Sequence, residues 1–200
     1  MPKVLVLFAH PRLEKSRSNR ALLRHMPAHA SLTTRDLYEL YPDMNVDIAK
    51  EQALLLAHDI IVWHHPIYWY SAPPLLKQWI DLVLTFGWAY GPGGNALHGK
   101  VVMQAVTTGG AVEAYSANGF HGSTLQEFLL PFKRTSTLCG MTWLPPFVVH
   151  GSNSVSDGEL EHSAMRYGAL LVALAQGRVS PGMFTGLERA NDVEFDTTVA

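Results

Sequence analysis

Apolar residues along the chain fall into short continuous runs, separated by stretches in which they recur every three or four positions. The runs at residues 4–9, 59–63 and 100–108 are rich in aliphatic side chains, which is typical of strands buried on both faces. Weaker runs at residues 31–38 and 141–149 complete a set of five predicted strands. Pro145-Pro146 interrupts the last run, so we expect an edge or irregular strand there.

The stretches between these runs have the periodicity of amphipathic helices. We predict helices at residues 19–26, 47–57, 73–87, 124–134 and 156–174. Pro73-Pro74 can open the third of them, because the first helical N–H needs no partner. Ser156 and Glu159 form a capping box at the start of the last one.

The alternation of strands and helices predicts an α/β fold. Five such units imply a doubly wound, five-stranded parallel sheet with helices on both faces. One domain spans residues 1–176 in this interpretation, and no internal repeat suggests a second. Gly, Ser, Pro and acidic residues dominate residues 177–200, where we expect a flexible tail.

The first candidate loop follows the first strand, at the sheet edge where open parallel sheets bind ligands. It leads into a helix N-terminus, where free N–H groups and the helix dipole favour an anion such as a phosphate. No G-x-G-x-x-G or Walker lysine motif is present. A plainer alternative is that Ser18 or Asn19 only caps the helix. The candidate residues are His10, Ser16, Arg17, Ser18 and Asn19.

The loop after the third strand carries three aromatic residues in succession. Such residues are costly to expose without a use, and a flat apolar ligand could lie against them while accepting hydrogen bonds from backbone N–H groups. The alternative is an aromatic cluster packed beneath the next helix. The candidate residues are Pro66, Ile67, Tyr68, Trp69 and Tyr70.

The loop after the fourth strand begins with Thr107, Thr108, Gly109 and Gly110. Paired glycines let the backbone approach a ligand closely, although an ordinary glycine turn has the same composition. If the sheet forms as predicted, all three loops meet at one edge. Their convergence favours a common ligand site over three separate structural roles.

Tyr115 and His121 lie six residues apart in a segment that follows the third loop. A phenol and an imidazole at this spacing converge if the glycine-bearing segment curls, and together they can handle charge or protons. Each residue taken alone is as well explained by a structural or surface role.

Composition excludes several other classes of protein. The chain has 200 residues and a net charge of −2, which gives no basis for binding nucleic acid. Its one cysteine cannot form an internal disulfide, and no apolar stretch reaches the ~20 residues of a membrane helix. Ten histidines occur without H-E-x-x-H or a cysteine pair, and adjacent His64 and His65 should point to opposite faces of a strand, so we expect no metal site.

The motifs as a set resemble the NAD(P)H:quinone oxidoreductase family of flavodoxin-like flavoproteins. Within it they are most similar to the bacterial ancillary flavoproteins of glutathione-regulated potassium-efflux systems. The resemblance runs from about residue 4 to residue 174. It is carried by AHP with SRSN, HPIYWYSAPPLLKQWID, GWAYGPGG, TTGG and WLPPF.

The resemblance implies a flavodoxin-like fold and a flavin, FMN in short bacterial members and FAD in longer ones. It implies that His10 and residues 16–19 hold the flavin phosphate and ribityl chain. Residues 67–70 would border the isoalloxazine, and residues 107–110 would contact its other edge. The sequence departs at Ile67 and Tyr68, where relatives often carry Met or Leu and then Gln, which puts the acceptor preference in doubt.

The resemblance also implies an activity. NADPH or NADH would donate a hydride, and a quinone or similar electrophile would receive it in a two-electron ping-pong cycle assisted by Tyr115 and His121. A homodimer is implied, with each active site near the subunit interface, and the single cysteine fits a protein of the reducing cytoplasm. The alternative is an ancillary regulatory subunit held at the inner membrane by a potassium-efflux protein. A one-electron carrier is disfavoured, since such carriers are strongly acidic.

Overall fold

The computed structural model describes residues 1–195, which form a parallel sheet between two layers of helices. The sheet order is β2-β1-β3-β4-β5, and β6 also pairs with β4. The strands are β1 (Val4–Phe8), β2 (Leu32–Asp36), β3 (Ile60–Pro66), β4 (Val101–Thr107), β5 (Thr142–Trp143) and β6 (Phe147–Val149). The helices are α1 (Arg17–Arg24), α2 (Leu37–Leu40), α3 (Ile48–Ala57), α4 (Pro74–Val83), α5 (Leu125–Leu138) and α6 (Asp157–Ala175).

Alternate residues of the central strands face opposite helical layers, and this alternation builds two cores. Val4 and Val6 of β1 pack with α1 and α6, whereas Leu5 and Leu7 pack with α3, α4 and α5. Every residue of β1 and β3 is buried, because helices cover both faces of the sheet. The predicted α/β fold with a parallel sheet is therefore confirmed.

The predicted fifth strand is two short strands. β5 and β6 both pair with β4, and the segment between them contains Pro145 and Pro146. Proline has no N–H to donate to a neighbouring strand, so the pairing is interrupted there. The described sheet consequently has six strands rather than five.

The segment after α6 packs on the sheet as far as residue 195, where the sequence suggests a flexible tail. Val179, Phe184, Ala190 and Val193 are buried in the core beneath α6. These apolar residues are spaced irregularly and separated by polar ones, so a periodic pattern does not predict that they are buried. Residues 196–200 of the predicted tail lie outside the described part of the chain.

Within residues 1–195, no helix combines the length and the apolar character that crossing a membrane requires.

Candidate functional site

A cleft of about 480 Å³ opens at the carboxyl edge of the sheet, where the loops after β1, β3 and β4 meet. This is the size range of small-molecule sites. It brings together most of the residues predicted to bind a ligand. They are His10, Ser16, Arg17, Asn19, Pro66, Ile67, Tyr68, Thr107, Thr108 and Gly109.

Four further residues line the same cleft, and of these only Lys15 is expected from the sequence, as a positive charge in the first loop. Arg12 and Lys15 belong to the first loop, whereas Ser152 and Asn153 follow β6. The sequence predicts a ligand site only at the loops after the first, third and fourth strands, whereas Ser152 and Asn153 lie in a fourth loop. The polar stretch directly after the apolar run of β6 was the signal that could have identified the fourth loop.

Ser16 is the residue that caps α1, so the helix begins two residues earlier than predicted. Its hydroxyl accepts hydrogen bonds from the backbone N–H and the side-chain amide of Asn19, at 3.3 and 3.0 Å. In the described residues, the N–H groups of Arg17 and Ser18 have no partner, and the buried hydroxyl of Ser18 has none either. This helix end therefore offers an anion several unused donors.

The side chain of Arg17 turns away from these donors. Its guanidinium donates to the backbone carbonyl of Val155 and to Asp157, both at 2.6 Å. Arg17 thereby joins the start of α1 to the start of α6. The N–H of its backbone, which has no partner in the described residues, is what Arg17 can contribute to the cleft, rather than its charge.

Asn19 is the centre of a buried chain of polar groups on the face of the sheet that α1 and α6 cover. Its amide nitrogen donates to the hydroxyl of Thr107 at 2.9 Å, and its carbonyl lies 3.2 Å from Nε2 of His64. Nδ1 of His64 lies 3.2 Å from the hydroxyl of Tyr167. Burial lowers the pKa of His64 to about 3, so the ring is neutral. Nε2–H then donates to Asn19, and the Tyr167 hydroxyl donates to Nδ1.

His10 joins the first loop to the second. Its Nδ1 accepts a hydrogen bond of 3.1 Å from the backbone N–H of Arg12. Because burial lowers the pKa of His10, the neutral ring carries its proton on Nε2, which lies 3.4 Å from the hydroxyl of Tyr68. Tyr68, which makes this contact with His10, is one of the two positions at which the sequence departs from the family pattern.

The second loop is a tight turn closed by two hydrogen bonds between Tyr68 and Ser71, both of 3.0 Å. Its two central residues, Trp69 and Tyr70, have φ angles of 48° and 63°. Such left-handed backbone is strained for residues other than glycine, and strain of this kind clusters at functional sites. Among residues 1–195, nothing accepts the N–H of either central residue, and Trp69 is 93% exposed. The loop thus presents two free donors and an uncovered indole.

The third loop is held rigidly by hydrogen bonds to the segment after β6. The hydroxyl of Thr108 donates to the carbonyl of Gly110 at 2.8 Å, and Gly151 N–H donates to the same carbonyl at 2.9 Å. His150 Nδ1 lies 3.0 Å from the Thr108 hydroxyl. A methyl group placed on Gly109 would meet no described atom within 4 Å, so the space beside this residue is open to a ligand.

Tyr115 and His121 converge as their spacing suggested. Their ring centres are 4.6 Å apart, and Tyr70 of the second loop lies 5.4 Å from the His121 ring. Gly110 is also close, because a methyl group built on it would sit 3.4 Å from His121 Nε2. Nδ1 of His121 is buried without a partner in the described residues. The two rings therefore contact the second loop through Tyr70 and the third loop through Gly110, and His121 Nδ1 makes no hydrogen bond within the described residues.

His65 lies on the opposite face of β3 from His64, as predicted from their adjacency. Its ring is 5.7 Å from that of Phe132 on α5, and its Nε2 is 2.8 Å from the side-chain amide of Gln104. Burial lowers the pKa of His65 to about 4. Both histidines are thus uncharged members of the core.

Comparison with known proteins matches residues 2–171 to a family described by its flavodoxin-like fold. The uncharacterized NAD(P)H oxidoreductase YdeQ of Bacillus subtilis is 47% identical over 165 residues, which are 82% of this chain and 84% of that protein. The glutathione-regulated potassium-efflux system ancillary protein KefF of Klebsiella aerogenes is 43% identical over 169 residues, which are 84% of this chain and 94% of that protein.

Two solved structures are similar over nearly the same region. General stress protein 14 from Treponema denticola, in complex with FMN, has a TM-score of 0.81 and 42% identity, covering 86% of this chain and 99% of that chain. An NADPH-quinone reductase from P. pentosaceus has a TM-score of 0.76 and 29% identity, covering 84% of this chain and 96% of that chain.

The buried histidines of β3 make stability depend on pH. Their pKa values are about 3 and about 4 in the folded chain, against 6.5 in an unfolded one. Below pH 6.5 the unfolded chain therefore binds more protons than the folded one, and the free energy of unfolding should fall as pH is lowered from 7 to 5. Urea unfolding at several pH values measures this slope.

Replacing one histidine should make that slope shallower, by up to about 1.4 kcal/mol per pH unit. We expect this of His65→Phe. The matched control is Gln104→Ala, which removes the partner of His65 and lowers stability but keeps the titrating ring. Equal slopes for wild type and His65→Phe would contradict the burial argument.

Proposed function

The chain belongs to the family with a flavodoxin-like fold, and from this membership we propose that it is a flavin-dependent NAD(P)H oxidoreductase that reduces quinones or similar electrophiles. The observation that carries the proposal is the convergence of three loops on one cleft, two of them with unused hydrogen-bond donors and the third with open space beside Gly109. Relatives named NAD(P)H oxidoreductase and NADPH-quinone reductase support the reaction class, and a relative solved with FMN supports the cofactor.

The first loop fits the phosphate end of FMN. The free N–H groups of Arg17 and Ser18 and the unpartnered Ser18 hydroxyl would hold the phosphate, with the charge of Lys15 beside them. Ser16 and Asn19 fix this helix end and line the cleft, where they would border the ribityl chain. FAD would use the same phosphate contacts.

The second and third loops fit the ring end. The free N–H groups of Trp69 and Tyr70 would donate to polar atoms on the edge of the isoalloxazine, and Ile67 and Tyr68 would border it. The open space beside Gly109 would receive the other edge. Backbone donors do not depend on side-chain identity, so the departure from the family pattern at positions 67 and 68 leaves these contacts intact.

Bound flavin supplies the two-electron redox chemistry, and the chain supplies position and charge. Nε2 of His121 faces Gly110, and the ring of Tyr115 packs against the His121 ring at 4.6 Å. Together they would donate hydrogen bonds to negative charge that develops at this end of the cleft, which is commonly a large part of catalysis. The nicotinamide and the quinone would occupy the exposed face beside Trp69 in turn, giving ping-pong kinetics.

A regulatory role is a second candidate, favoured by the 43% identity to a potassium-efflux ancillary protein. In that role the chain would be cytoplasmic and would reach the inner membrane through a potassium-efflux protein. The flavin domain of residues 1–176 would serve both roles, acting as a homodimer. Co-purification with an efflux channel in the absence of reductase activity would favour regulation alone.

The first test of the reductase function is an absorbance spectrum of the protein reconstituted with FMN. We expect flavin bands that bleach when NADPH or NADH is added without oxygen and that recover when a quinone is added. Bound flavin that neither nucleotide reduces would contradict the reductase function. Failure to bind FMN or FAD at all would contradict the assignment of the cleft.

The second test concerns the paired rings. Tyr115→Phe with His121→Gln should lower the rate of flavin reduction by NADPH at least about tenfold, because charge stabilisation is lost. Flavin affinity should stay near wild type. Stopped-flow absorbance measures the rate, and Tyr90→Phe with His162→Gln is the matched control outside the cleft. An unchanged rate would remove both residues from the mechanism.

A further inference from the structure

A second cleft, of about 600 Å³, opens beside the paired rings and outside the proposed flavin site. Tyr115 and His150 contribute to its lining from the carboxyl edge of the sheet. Residues 186–189 and Asp192 also line it, and they belong to the segment after α6. That segment lies beyond residues 2–171, the part of the chain that matches the family.

The segment at residues 184–193, here called the C-terminal strap, is hydrogen-bonded to the edge of β6 that does not pair with β4. The side-chain amide of Asn191 accepts from the N–H of Val148 at 2.8 Å and donates to its carbonyl at 2.9 Å, as a neighbouring strand would. Ala190 N–H donates to the carbonyl of Pro146 at 2.8 Å, and Arg166 donates to the carbonyl of Asn191 at 2.7 Å. The strap is thus held in one place over the cleft.

His150 offers one uncharged hydrogen-bond acceptor to this cleft. The Thr108 hydroxyl has a single proton, which it donates to Gly110, so the contact of 3.0 Å between Thr108 and His150 needs the proton of His150 on Nδ1. Nε2 then carries a lone pair. No described atom bonds to this nitrogen, and it is not among the atoms sealed from solvent.

The charges around the cleft favour a neutral ligand. Burial and the charge of Arg189 lower the pKa of His150 to about 4, against a smaller opposing effect of Glu113. Arg189 is itself paired with Asp192 at 2.8 Å, and exposed Glu188 adds a negative charge. An anion would meet a neutralised cation and a repelling carboxylate. The remaining lining includes the apolar side chains of Leu125 and Leu187.

We propose that this cleft binds an uncharged phenolic ring, whose hydroxyl donates to Nε2 of His150 and whose ring lies between Tyr115 and Leu187. The inference rests on the proposed function, because the reduction of a quinone yields a hydroquinone, and a hydroquinone is a phenol. The cleft would then hold the product class next to the paired rings. The strap sets the size of the ring that fits.

The test is the binding of 4-methylphenol and of toluene, which differ by one hydroxyl, to the FMN-loaded protein without nucleotide. Calorimetry gives the dissociation constants, and ¹³C-labelled histidine shows whether the His150 signals move. We expect 4-methylphenol to shift those signals and to bind about tenfold more tightly than toluene, the effect of roughly one hydrogen bond.

Two variants locate the site. His150→Phe keeps a ring but removes the acceptor, and it should bring the affinity for 4-methylphenol down to that for toluene. Leu187→Ala lies on the strap and should weaken both ligands about threefold or more, through lost apolar contact. Leu130→Ala, which lines a neighbouring cleft between α5 and the strap, is the matched control and should change neither affinity.

The outcomes separate this inference from the proposed function. Equal affinities for the two ligands, or affinities that neither variant changes, would overturn the phenol site even in a protein that reduces quinones. Phenol binding that depends on His150 and Leu187, in a protein that reduces no quinone, would uphold the site and overturn the reductase function instead.

Discussion

The hydrogen bonds of Asn19 connect the core of the protein to its cleft. This side chain sits in the first turn of α1 and bonds to β4 through Thr107 and to β3 through His64. It also bonds to Ser16, the cap of its own helix. A buried polar side chain is costly unless every group on it is paired, and the pairing here requires that helix and strands keep one relative position. The loop before α1 is thereby fixed above the ends of both strands.

The cleft forms where the loops after the parallel strands meet, at the edge of the sheet that Asn19 helps to fix. Parallel strands all end at the same edge, so the loops that follow them lie side by side. The first loop contributes the end of a capped helix, the second a strained turn at Trp69 and Tyr70, and the third a turn held through Thr108. Each leaves backbone donors or open space facing the same region. The side chains of the core hold these loops, and the backbone of the loops does the binding.

Much of this was predictable from the sequence, because burial on both faces leaves continuous apolar runs that are easy to identify. β3 shows where the pattern fails: its apolar run ends at Trp63, yet the strand continues to Pro66. The extra residues include two histidines, which a hydropathy pattern places outside a core. They are buried because Asn19, Tyr167 and Gln104 satisfy them, and such partners are distant in sequence.

Other features depend on the same kind of distant contact. Ser16, rather than Ser18 or Asn19, caps α1, and its hydroxyl accepts from the N–H of Asn19. Ser152 and Asn153 line the cleft because β6 ends beside β4, which the interrupted pattern around Pro145 obscured. The C-terminal strap looks like a tail in sequence, since its buried residues have no period. Asn191 holds it by imitating a strand.

The most direct measurement is the affinity for FMN of a variant in which Asn19 becomes leucine, a residue of similar size without polar atoms. Flavin fluorescence gives the dissociation constant, and circular dichroism verifies that the variant is folded. If Asn19 positions the phosphate end of the cleft, affinity should fall at least about tenfold, while Asn45→Leu at an exposed site should bind like wild type. A folded Asn19→Leu variant with wild-type affinity would contradict the account.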